Sequence, residues 1–383
     1  MMSLGVAIVG AVQTRYESNK VRLAVNELVY EVVAELLRQT GVKMADIHSQ
    51  VTASQDWFDG KTISSMSVSE VVGGYLKSES KTAADGIQAM FYGAARIASG
   101  SFEYTLVAAH CKESEGQRAA ITATMFDPFC QRQLGLHDHI ASALQARRYM
   151  EVSGVTEEDL AEISRRRHLD GMKNEKSLRK GDFTLRQILD SQVVAGPLRE
   201  MTVGPSCDGA CAILLASAEK ANAFGDRAVG ISGIGNAADA YWTERELGRS
   251  VALEHAAARA YRMAKIADPR SEFQVAEISA RYAYEEPLYA EALGLASSGK
   301  GRDWVETSGS GPGPRINPSG GAITGNPTSV SGLTRVVEAW LQLTDSAGAH
   351  QVDDARTALV HGGDGICGQA QSVAVLRRGL GER

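Results

Sequence analysis

The chain has 383 residues, 44% of them apolar and 22% charged, and carries a formal net charge of −6. This is the composition of an ordinary globular protein, long enough for two closely joined domains, and it excludes a disordered chain. An acidic chain whose one basic run is Arg165, Arg166 and Arg167 lacks the clustered cations of a nucleic-acid binder, and that run reads as the solvated face of a helix.

No charged segment followed by an apolar core opens the chain, and no apolar run reaches the roughly 18 residues of a membrane span. The five cysteines, Cys111, Cys130, Cys207, Cys211 and Cys367, are odd in number and scattered, the pattern of reduced intracellular thiols. The sequence therefore predicts a cytoplasmic protein without membrane contact. Cys207 and Cys211 form a CxxxC pair with no second pair to complete a tetrahedral site, so no metal is expected.

In chain order, "VAIVG" at Val6 reads as a strand, and Val25, Val29, Val32 and Leu36 give helical spacing between Leu23 and Arg38. A second apolar stretch covers Ile47 to Thr52. "SKTAADG" reads as a turn feeding a small-residue helix from Gly86 to Ser99, with Asp85 as its N-cap. "YTLVAAH" at Tyr104 is a buried strand, and such alternation implies a parallel sheet covered on both faces.

The second half repeats the order. Ala228–Ala237 reads as a strand, Ala252–Ala264 as a helix, Gln274–Ser279 as a strand and Glu286–Leu295 as a helix. A glycine-rich loop follows, then the helix in "SVSGLTRVVEAWLQL" and the strands "TALVHGG" and "SVAVLRR". Two halves of one element order predict an internal duplication, with domains at 1–226 and 227–383. Residues 112–201 fit neither half; they read as an inserted helical lid, with Thr156 and Asp159 as a capping box.

The ordered pieces "ARRYM", "SGVTEEDLA", "PSCDGACAILLAS", "VAEIS", "INPSGGAITGNP" and "GLTRVVEAW" resemble the thiolases, in particular their archaeal-type and sterol-carrier-type branch. The resemblance covers almost the whole chain. It implies an α/β thiolase-like fold: two similar βαβαβ domains in a five-layered α-β-α-β-α arrangement, with the lid inserted in the first. It also implies a coenzyme A thioester as ligand, with no tightly bound cofactor.

A thiolase-like mechanism needs a cysteine at a helix N-terminus, a histidine to activate it, a group to hold the thioester oxygen and a second base for the α-proton. The resemblance puts Ala83 at the nucleophile, Asn326 at the activating histidine, Ser279 at the oxygen-holding histidine and Tyr282 where a phenylalanine is usual. The second cysteine falls near Asp364 or on Cys367. Alanine cannot carry an acyl group, and asparagine cannot take a proton from a thiol at neutral pH.

The first expectation is therefore a degenerate active site in a supporting or pocket-forming subunit of a heteromeric acyl-CoA complex. Its partners would be a thiolase-like paralogue in a dimer or tetramer, or a zinc-ribbon and OB-fold protein. An alternative is a CoA-ester carbon–carbon lyase of retro-aldol type that works without an acyl-enzyme, using Tyr282 or Tyr284. Another is a thiolase using Cys367. Dimerisation is expected through the strand at Tyr104 to His110 and the helix from Gly86.

Overall fold

The computed structural model describes residues 4–308 and 313–380, so part of the glycine-rich loop lies outside the described residues. The first half holds β1 (Val6–Gln13), β2 (Ser49–Ala53), β3 (Ser78–Thr82) and β4 (Tyr104–Lys112). A separate hairpin of β5 (Val193–Ala195) and β6 (Leu198–Arg199) precedes β7 (Asp208–Ser217). The second half holds β8 (Val229–Ala238), β9 (Val275–Ile278), β10 (Arg315–Ile316), β11 (Thr357–Asp364) and β12 (Ala370–Arg378).

The spatial order is 3-2-4-7-1 in one half and 10-9-11-12-8 in the other, joined through β1 and β8. In both halves the outer three strands run parallel, and the two nearest the join run antiparallel to their neighbours. The same order with the same senses is the duplication read from the sequence. The wholly parallel sheet is not present. The strand that ends each half, β7 or β12, returns antiparallel beside the strand that begins it, β1 or β8, and β1 and β8 pair with each other at the join.

Alternation along the strands sets the layers. Leu106 and Ala108 pack outward against Leu28 and Val32 of the helix Val25–Thr40. Val107 and Ala109 pack inward with Ile87, Met90 and Leu333. In the second half Ala358 and Val360 face inward, while Leu359 faces out with Leu253 and Ala256 of the helix Val251–Ala264. The helices Gly86–Ala98 and Ser331–Leu343 thus form the middle of five layers. They approach so closely that a Cβ on Gly86 would lie 2.7 Å from the Cβ of Leu333.

Three local expectations change. The stretch read as a turn before Gly86 begins as β3, which pairs parallel with β2 and forms the outer edge of the sheet. "SESKT" has no apolar alternation, and all five residues are half-buried, so periodicity could not reveal it. β4 is flanked on both sides, by β2 and β7, so the free edge belongs to β3 and not to the strand at Tyr104. Arg167 is buried rather than solvated: it pairs with Asp170 at 2.9 Å and Glu286 at 3.3 Å.

The segment 112–201 carries the helices Arg118–Ala123, Asp138–Ser153, Glu157–Gly171 and Leu185–Leu189. Its capping box is formed: the Asp159 N–H donates to the Thr156 hydroxyl at 3.2 Å, and the Thr156 N–H to the Asp159 carboxylate at 2.8 Å. Among the described residues no helix is long and apolar enough to cross a membrane.

Candidate active site

The N-termini of the two central helices open on a cavity of about 120 Å³, which the lid covers with Arg118, Thr122, Asp138 and Ser142. Asp85 stands at the base of it. One carboxylate oxygen accepts the N–H of Ile87 at 2.9 Å, capping its own helix, and the other accepts the N–H of Gly332 at 2.8 Å in the facing helix. Gly332 leaves room for that carboxylate.

Ser279, Tyr282, Asn326, Asp364 and Cys367 all line this one cavity, although they come from separate stretches of chain. The Asn-Pro-Ser-Gly-Gly loop explains how β9 delivers the first two. The Asn317 side chain accepts the N–H of Ile278 at 2.6 Å, and the Ser319 hydroxyl donates to buried Glu277 at 2.9 Å. Arg335 of the second central helix pairs with Glu277 at 2.7 Å. β9 is therefore pinned to that helix, and the Ser279 hydroxyl meets Ser331 at 2.7 Å.

Asn326 is held by its backbone N–H, which donates to the Pro205 carbonyl at 3.1 Å. Asp364, at the end of β11, accepts from the Gln55 amide at 2.9 Å and the Gly365 N–H at 2.8 Å. Arg245 donates to the carbonyls of Ile366 and Cys367, each at 2.8 Å, which fixes the loop between β11 and β12.

Two sequence-derived positions lie elsewhere. Ala83 is solvent-exposed and is not part of the cavity wall; Asp85, two residues on, holds the place at the helix mouth. Ala83 stands two residues before the N-cap Asp85, in the bend between β3 and the helix. Tyr284 is fully buried, donates to the Gln145 side chain at 2.9 Å and does not reach the cavity.

Burial dominates the electrostatics. It pushes the Asp85 carboxyl up to about 7, despite the two backbone N–H groups that oppose the shift. It also raises Asp364 above the ordinary carboxylate range, and Glu285, which accepts the N–H of Arg281 and Tyr282, to about 7. The Cys367 thiol is pushed up to about 12, so it is protonated at neutral pH. Tyr282 is raised as well and remains a phenol, bonded to His139 at 2.9 Å. Burial lowers His139 to about 4, leaving it a neutral acceptor.

Sequence reasoning did not single out Arg118, Asp138, His139, Arg281 and Glu285. Arg118 donates to Asp138 at 2.7 Å and to Glu113 at 2.9 Å within the lid, and to the Thr328 hydroxyl at 2.7 Å, which joins the lid to the cavity wall. The one sequence signal was the spacing of Arg281 and Glu285, and only the tertiary fold brings the lid groups to them. Among the described residues no group of His, Cys, Asp and Glu is arranged to hold a metal ion. Cys207 and Cys211 are buried, and burial raises both thiols.

Two mirrored halves around a pair of central helices, with a cavity at the helix N-termini, define a thiolase-like protein. The chain is similar to members of the thiolase superfamily along almost its whole length. A family signature described as "Thiolase C-terminal domain-like" matches residues 235–378. The acetyl-CoA acetyltransferase of Methanothermobacter thermautotrophicus is 27% identical over 380 residues, covering 95% of this chain and 97% of that one. The benzoylsuccinyl-CoA thiolase subunit BbsB of Thauera aromatica is 26% identical over 231 residues, 59% of this chain and 60% of that subunit. Among solved structures, an "Ltp2-ChsH2(DUF35) aldolase" superposes with a TM-score of 0.83 at 19% identity, covering 99% of each chain, a likeness of fold.

Proposed function

We propose that the chain is a CoA-thioester carbon–carbon lyase of retro-aldol type, working by proton transfer without an acyl-enzyme. One observation carries this reading: two carboxyls shifted toward neutral pH, Asp85 and Asp364, line the cavity where Cys367 stays a protonated thiol. A carboxyl near pKa 7 is matched to proton transfer at neutral pH. A thiol near 12 is not a nucleophile there.

In this reading the ligand is a 3-hydroxyacyl thioester of coenzyme A. Asp85 takes the hydroxyl proton, the bond between Cα and Cβ breaks, and its electron pair moves onto the thioester carbonyl as an enolate. The Ser279 hydroxyl and the Asn326 amide are assigned to the enolate oxygen. Asp364, near one of the two positions the thiolase resemblance offers for the α-proton base, returns a proton to Cα. An aldehyde or ketone and a shortened acyl-CoA leave. Tyr282, a phenol whose proton is held by His139, walls the cavity beside the departing carbonyl.

The aldolase in the name of the solved structure supports this reading, as does the second component, ChsH2(DUF35), in that same name. A heteromeric assembly is therefore part of the proposal, with either a DUF35-type partner or a thiolase-like paralogue. The test is incubation of the purified chain, alone and co-expressed with its neighbouring gene product, with 3-hydroxyacyl-CoA esters. Release of acetyl-CoA and a carbonyl compound is expected. An acyl mass on Cys367 with no cleavage would replace the lyase with a thiolase.

A supporting-subunit role is the second reading, favoured by the absence of a thiol at the helix mouth, where Asp85 stands, and by the word "subunit" in the name of the Thauera relative. It predicts that Asp85→Asn and Asp364→Asn leave the activity of the complete assembly unchanged.

A further inference from the structure

Arg281 lines the cavity with 7% of its surface exposed, yet its guanidinium is poorly matched by the protein. One nitrogen, Nη2, donates to the Ser206 hydroxyl at 3.3 Å. Nε and Nη1 are buried and have no hydrogen-bond partner among the described residues. The nearest carboxylate, Asp138, is 3.8 Å from Nη1 because Arg118 already holds the same oxygen at 2.7 Å. Glu113 is likewise held by Arg118. Glu285 directs one oxygen at the backbone N–H groups of Arg281 and Tyr282 and not at the guanidinium.

A buried cation with unsatisfied donors is destabilising unless a further group meets them, and a guanidinium is shaped to meet a carboxylate. We propose that Arg281 is a specificity residue that binds a carboxylate on the acyl portion of the thioester. This rests on the CoA-thioester reading above and extends it to an anionic acyl chain. The position in the chain separates this anion from the phosphates of coenzyme A. Arg281 lies two residues beyond Ser279, assigned to the thioester oxygen, whereas the phosphates stand off by the length of the pantetheine arm.

The test is calorimetric titration of the purified chain with succinyl-CoA, butyryl-CoA and free coenzyme A, comparing the native protein with Arg281→Gln and Arg281→Lys. The native protein should bind succinyl-CoA about tenfold or more tighter than butyryl-CoA. Arg281→Gln should reduce that preference to within about twofold while leaving butyryl-CoA affinity unchanged, and Arg281→Lys should keep part of it. Equal binding of the two esters by the native protein overturns the proposal while leaving the thioester reading intact. An equal loss for all three ligands in Arg281→Gln would assign the residue to the phosphates instead, again overturning it. Binding of none of them removes the thioester reading and this subsite together.

Discussion

The Asp85 carboxylate accepts the N–H of Gly332 at 2.8 Å across 247 residues of sequence, while its other oxygen caps its own helix at Ile87. One side chain thereby ties together the N-termini of the two central helices, one from each half of the fold. Both helix dipoles favour its charged form and burial disfavours it, and the balance falls near neutrality.

That balance has a sign. The folded carboxyl titrates near 7 and the unfolded one near 3.8, so the folded state binds the extra proton between these values. Its contribution to stability is fully present below the lower value and falls as pH rises to the upper one. Comparing chemical denaturation of the native protein with Asp85→Asn, the native advantage should shrink by up to about 4 kcal/mol between pH 4 and pH 8. A difference that stays flat across this range would contradict the shifted carboxyl.

Lyase activity should rise with pH through a limb centred near 7, as Asp85 loses its proton and becomes a base. In Asp85→Asn the limb should vanish and kcat fall by about 100-fold or more. The measurement is a kcat/KM profile from pH 5 to 9 on a cleaved 3-hydroxyacyl-CoA.

Brief alkylation with iodoacetamide at pH 7 should label Cys130, the exposed cysteine, and leave Cys367 untouched because burial holds it protonated. Peptide mass mapping reads this directly. An introduced Ala83→Cys should alkylate at the rate of an ordinary surface thiol, since Ala83 lies outside the cavity.

Gly86→Ala should destabilise the protein by about 1–3 kcal/mol, because the added methyl meets Leu333 and Ala109 between the central helices. Gly100→Ala offers a contrast, since nothing lies within 4 Å of its Cβ and its cost comes from its left-handed backbone alone. Urea denaturation of both variants separates packing from backbone effects.

Sedimentation at micromolar concentration should show a dimer or larger assembly. β3 is an edge strand, and exposed Trp57, Ile63 and Met66 lie on the segment between β2 and β3. Replacing Trp57 and Met66 with Glu should shift the protein toward monomer, whereas an unchanged mass would move the contact elsewhere.

The sequence by itself determined the elements with strong periodicity, the duplication and the thiolase resemblance, because those signals are local or repeat along the chain. Helix Ser331–Leu343 and strand β11 are legible as amphipathic and apolar runs, and Asp85 as an N-cap follows from its place before Gly86. Ser279, Tyr282, Asn326, Asp364 and Cys367 could each be named from short motifs. Their meeting in one cavity could not, since it depends on how the two halves close around the central helices. β3 stayed hidden because its five polar-rich residues carry no alternation, and only pairing with β2 makes them a strand. Tertiary structure alone decided that Ala83 lies outside the cavity wall, that Arg167 is buried and that the lid brings Asp138, held by Arg118, against Tyr282 and Arg281. Charge and burial in such clusters are properties of residues distant in sequence, so the pKa of Asp85 and the unmatched donors of Arg281 exist only once the chain has folded.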